Sequence, residues 1–98
     1  MNETHNITLN LPCDLTEAEW GIVEDVYRSI DGYIVPSDGD CPCWYGAEGS
    51  SRYICVSVEP SGLVCSGVVD STLWAGWLTL LCARLTINLG REVRDAEM

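Results

Sequence analysis

The stretch RYICVSVEPSGLVCSGVV, residues 52–69, most constrains the fold. Two runs rich in Val, Ile and Tyr flank Glu-Pro-Ser-Gly. Pro60 pre-sets the backbone angle at the second turn position, and Gly62 tolerates the exit. Two such runs joined by a turn predict an antiparallel β-hairpin. The chain has 98 residues, which leaves room for one core, so residues 1–98 are expected to form a single domain.

The other elements are read around that hairpin. In HNITLNLP, Ile7, Leu9 and Leu11 alternate with polar residues, which predicts a half-buried strand ended by Pro12. Leu15, Ala18, Ile22, Val23, Val26 and Ile30 then recur at helical spacing, with Glu17, Glu24, Asp25 and Arg28 largely opposite. Asp14 or Thr16 is the N-cap, Thr16 and Glu19 have capping-box spacing, and Gly32 is the stop. YIV ahead of Pro36 is a short strand, and CWYG is a further strand-like piece. After the hairpin, Asp70 caps a second helix with Leu73, Trp74, Trp77, Leu78, Leu81, Leu85 and Ile87 on a wide apolar face, and Gly90 ends it. A last strand is expected around Val93. The order β-α-β-β-β-α predicts an α+β two-layer sandwich: a mainly antiparallel sheet of four or five strands with both helices on one face.

The formal charge is −10, with no lysine. Residues 1–50 hold ten acids and one basic residue, Arg28, whereas residues 51–98 hold five acids and four arginines. A field of that sign repels nucleic acid and anionic membrane surfaces and speeds encounter with basic ones. The longest apolar run, Leu73 to Ala83, is broken only by Thr79 and is too short to span a bilayer. The start of the chain lacks a basic segment followed by an apolar one, so a cytoplasmic location and reduced thiols are expected. Cys55, Cys65 and Cys82 sit in apolar stretches and are expected to pack as small hydrophobes.

The loop SDGDCPCWYGAEGSS, residues 37–51, admits several chemistries. Cys41, Cys43, Cys55 and Cys65 are four candidate thiolates for zinc, but one residue separates the first pair where a zinc knuckle has two. Cys41-Pro-Cys43 is a candidate redox pair, although Asp38, Asp40 and Glu48 disfavour a thiolate there. For acid–base catalysis His5 is the single histidine, and no nucleophile elbow, phosphate loop or paired-histidine motif is present. Recognition fits best. Trp44 and Tyr45 supply contact area at low conformational cost, and the surrounding acids steer a cationic partner. The expected docking surface is Asp38, Asp40, Glu48, Trp44 and Tyr45, supported by Glu17, Glu24 and Asp25, with no catalytic residue, metal or cofactor. The alternative is a metal or redox module on Cys41 and Cys43.

Residues 43–97 carry SVEPSGL, the aromatic helix after Asp70 and the closing LGREVRDAE. In these the chain resembles small acidic bacterial proteins of the toxin-immunity type. The resemblance implies a non-enzymatic protein that binds and neutralises a protein partner, here a basic one such as a toxin or a nucleic-acid-binding enzyme, without itself contacting nucleic acid or membrane. A homodimer through Trp74 or Trp77 of the second helix is a further expectation.

Overall fold

The computed structural model describes residues 1–37 and 39–97. Its elements run β1 (Glu3–Leu9), α1 (Glu17–Ser29), β2 (Tyr33–Ile34), β3 (Cys43–Trp44), β4 (Tyr53–Glu59), β5 (Gly62–Val69) and α2 (Ser71–Leu89). All strand pairs are antiparallel, and the sheet order is β1-β5-β4-β3-β2. β2 to β5 form a meander. α1 carries the chain from β1 at one edge to β2 at the other, and this gives the expected α+β arrangement.

Register explains the core. His5, Gly67, Ile54, Trp44 and Tyr33 form one row across the five strands, and Ile7, Cys65 and Val56 form the next. Side chains of a strand alternate between faces, so both rows point to the same side. There they meet Val23, Val26, Tyr27 and Ile30 from the α1 segment and Trp77, Leu81 and Leu85 from α2, all buried. α1 lies over the β2–β4 side, where Tyr27 packs edge-on to Trp44 with centroids 5.4 Å apart. α2 lies towards β1, where Trp74 stacks on His5 at 4.8 Å. Thr4, Asn6 and Thr8 of β1 and Ser66 of β5 face away from the helices, as in an antiparallel sheet with one solvated face.

The helix ends follow their local chemistry. Thr16 caps α1: its hydroxyl accepts from the Glu19 backbone N–H at 3.2 Å, and Glu19 accepts from the Thr16 N–H at 3.0 Å. Asp70 caps α2 through the Thr72 N–H at 2.8 Å, and Gly90 ends it in the left-handed region. Gly32, with φ +92°, turns the chain into β2, and the Tyr45 ring lies where a Cβ would stand.

Two boundaries differ from expectation. β1 stops at Leu9 rather than at Pro12, because the chain turns there to bond the tail: Asn10 donates to the Arg94 carbonyl and Ala96 to the Thr8 carbonyl. The strand expected around Val93 reduces to a single bridge between Leu9 and Asp95, while Val93 itself is buried as part of the core.

Candidate functional site

The cysteines differ most from the sequence expectation. Cys43 and Cys55 stand directly opposite each other on β3 and β4, with Cα atoms 4.3 Å apart, and are joined in a disulfide. Cys55 is therefore not a free packing residue, and Cys43 does not pair with Cys41. The four-thiolate set is also divided by the sheet. Cys65 lies in the helix-covered row, Cys43 and Cys55 lie on the opposite face, and Cys41 is an exposed free thiol. Among the described residues, no group of three or more His, Cys, Asp or Glu is placed to hold a metal ion. Burial pushes the Cys65 thiol well above its usual range, with Cys82 adding to the effect, so Cys65 is a poor nucleophile.

Trp44 is not a surface anchor. Its ring is wholly buried and packs edge-on to Tyr27, Tyr33 and Trp77. The register fixes this direction: Trp44 opposes Ile54, which faces the helices. Tyr45 follows with φ +70° and is half-buried. Its backbone N–H donates to the Gly32 carbonyl at 2.9 Å, and the Arg52 guanidinium lies 5.8 Å from its ring centre. Burial raises the Tyr45 phenol above its usual range, against the opposing pull of Arg52. Tyr45 lines the hollow between the C-terminal end of α1 and α2, away from the other expected docking residues.

Those other residues are placed as follows. Asp38 lies outside the described residues. Glu24 and Asp40 wall a groove of about 470 Å³ between α1, the 35–42 segment and the end of β4. Asp40 and Glu48 border a second hollow of about 390 Å³ on the other side of that segment. Glu17 and Asp25 are exposed on α1. Arg28 lies 3.8 Å from Glu24 and 3.6 Å from Asp25, which partly offsets the local negative charge. Such exposed pairs are weak and are readily exchanged for a partner's charges.

The apolar residues of the same groove are not among those expected from the sequence. Val35 is 79% exposed and Val58 44% exposed, and Trp20 and Pro36 complete an apolar floor beside Glu24 and Asp40. Val58 continues the core-facing positions Ile54 and Val56, but β3 has only two residues and does not run alongside it. The brevity of CWYG between turn residues is the sequence signal for that gap. Pro42 is tied to β4 by the bond from the Val56 N–H to its carbonyl at 3.1 Å, next to the Cys43–Cys55 disulfide.

The acids do not gather on one side. Glu92, Asp95 and Glu97 come back alongside β1, at the sheet edge opposite the 35–48 segment. The imbalance along the chain is diluted because the tail returns to the β1 edge of the sheet. The conspicuous feature in space is the reverse: residues 71–91 contain no acid at all.

Comparisons of the chain with protein-family models, curated proteins and solved structures find no match. Among the described residues, no helix is long and apolar enough to cross a membrane.

Proposed function

We propose that this protein is a non-enzymatic binding protein that inhibits or neutralises a basic protein partner, and that it docks through the groove between α1 and the 35–42 segment. The observation that carries this reading is the exposure of Val35 and Val58 together with Glu24 and Asp40 on the walls of one groove. Exposed apolar side chains beside charge are the usual make-up of a docking site. The carboxylates accelerate encounter with a cationic surface, and burial of the two valines slows escape. Inhibition then needs only that the bound protein covers the partner's working surface. The immunity-type resemblance of the C-terminal half agrees with this role.

The test compares proteins captured from the native host by the wild-type chain and by two variants, Glu24→Gln/Asp40→Asn and Val35→Ser/Val58→Ser. The proposal expects a basic protein that is retained by wild type at low salt and released at high salt, that is lost from the valine variant, and that is retained less by the Glu24→Gln/Asp40→Asn variant. Equal capture by all three would refute the assignment of the groove.

A cytoplasmic site of action is part of the same reading, and the disulfide supplies its test. A reducing compartment holds structural cysteines as thiols. Alkylation in denaturant at the moment of cell lysis should therefore modify all six cysteines if the protein works in the cytoplasm. Modification that spares Cys43 and Cys55 would move it to an oxidising compartment.

A further inference from the structure

The outward face of α2 carries no acidic residue. Thr72, Ala75, Gly76, Thr79, Ala83 and Ile87 are all exposed, and Ile87 is 77% exposed. α1 shows the ordinary pattern for a solvated helix, with Glu17, Glu24, Asp25 and Arg28 outward. A chain of net charge −10 has ample acid to solvate α2, yet places none between Ser71 and Arg91.

Gly76 adds an independent observation. A Cβ built there meets nothing within 4 Å, so the fold of the single chain gives no packing reason for glycine. In a helix interior glycine costs roughly 0.5–1 kcal/mol relative to alanine. Gly21 of α1 is equally unconstrained, but it sits among charged neighbours. Beside Gly76 runs a largely apolar groove of about 930 Å³, with Leu73, Trp77 and Leu80 in its wall. The buried indole N–H of Trp77 has no acceptor among the described residues.

We infer that α2 is the contact surface of a symmetric homodimer, in which the α2 helices of two copies pack antiparallel about a two-fold axis near Leu80. The register makes the face its own complement. About that axis Ile87 of one copy falls opposite Leu73 of the other, beside the groove, and Arg84 falls opposite Gly76, where the backbone allows close approach. The Gly90–Arg91 end of each helix meets the Asp70 cap of the other, so basic and acidic ends are paired twice. A two-fold interface requires this self-complementarity. The α2 face itself brings no carboxylate into the contact, which limits repulsion between two strongly acidic molecules; Asp31 and Asp70 line the adjoining groove, with Arg84 beside them. The small residues permit close helix approach, and the adjoining groove offers room for Ile87 of the other copy. Of the two tryptophans expected to mediate self-association, Trp77 is buried in the core and Trp74 is half-buried and stacked on His5, so the exposed residues of α2 carry the contact. The dimer stands independently of the proposed groove, which lies on the other flank of α1.

The test is sedimentation of the full chain from low to high micromolar concentration, with Ala83→Glu, Gly76→Leu and the off-face control Glu59→Gln, at an exposed position at the end of β4. Far-UV circular dichroism checks each fold. The expected result is a concentration-dependent dimer in wild type and Glu59→Gln, with a dissociation constant raised at least about tenfold in both α2 variants. Gly76→Leu places its side chain in open space in the monomer, so it keeps the test valid if Ala83→Glu misfolds. A wild-type monomer at every concentration, or a dimer that persists in the folded α2 variants, would overturn the inference.

Discussion

Replacing Trp44 by alanine separates a core residue from an interface anchor by magnitude alone. Trp44 is fully buried and packs edge-on to Tyr27, Tyr33 and Trp77 at centroid distances of 5.4, 5.3 and 5.1 Å. A buried tryptophan removes about 200 Å² from water, worth about 5 kcal/mol at about 25 cal/mol per Å². Measured truncations of this size cost roughly 3–5 kcal/mol, and the removal of each edge-on ring pair adds about 0.5–1.5 kcal/mol. The unbonded indole N–H works the other way, since losing it relieves a desolvation cost of about 1–3 kcal/mol. The balance is a loss of about 5 kcal/mol, against a total stability of about 5–15 kcal/mol for a domain. Trp44→Phe keeps a ring and drops the N–H, so it should lose less than half as much. Urea unfolding followed by far-UV circular dichroism measures both, independently of tryptophan emission. A loss below about 0.5 kcal/mol for Trp44→Ala, the range of surface substitutions, would refute the burial argument.

Thr16→Ala should cost about 1 kcal/mol through the lost capping box, measured by urea unfolding near neutral pH. Backbone hydrogen bonds from Thr16 to Glu19 and from Thr72 to Asp70 hold both carboxyls below their ordinary values. Their contribution is therefore complete above the unfolded value of about pH 4 and is lost as pH falls through the depressed native values; Glu19→Gln, which cannot titrate, should remove the Glu19 share of that loss, whereas Thr16→Ala keeps the backbone donor and should leave most of it. A thiol reagent on the oxidised native protein should modify the exposed Cys13 and Cys41 first, Cys82 slowly and Cys65 only on unfolding, because burial raises the latter two; early labelling of Cys65 would contradict its placement. Gly32→Ala should destabilise by about 1–2 kcal/mol, since it combines a left-handed backbone with a collision against the Tyr45 ring.

Both helices and the β4–β5 hairpin are legible in the sequence because their signals are local. Thr16-x-x-Glu19, the Asp70 cap, Gly90 and Glu-Pro-Ser-Gly each act within a few residues of where they stand. Alternation also places Ile7 and Leu9 on the core side without reference to the rest of the chain. The face taken by Trp44 is not legible, because a two-residue strand has no period to read; its direction comes from the register with β4. The Cys43–Cys55 bond depends on that same register, and along the chain Cys43 lies nearer to Cys41. The groove residues Val35 and Val58 read as ordinary strand apolars, and only the mismatch between a two-residue β3 and a seven-residue β4 leaves them uncovered. The charge imbalance is legible as a count but not as a surface, since the tail returns Glu92, Asp95 and Glu97 to the far edge of the sheet.

The most direct test of the docking account is the association rate between this protein and its captured partner, measured over a range of ionic strength for wild type and for Glu24→Gln/Asp40→Asn. The account predicts a wild-type rate that falls steeply with added salt, and a variant that is slower at low salt and has a shallower salt slope. Coincident rates and salt slopes for the two proteins would contradict it.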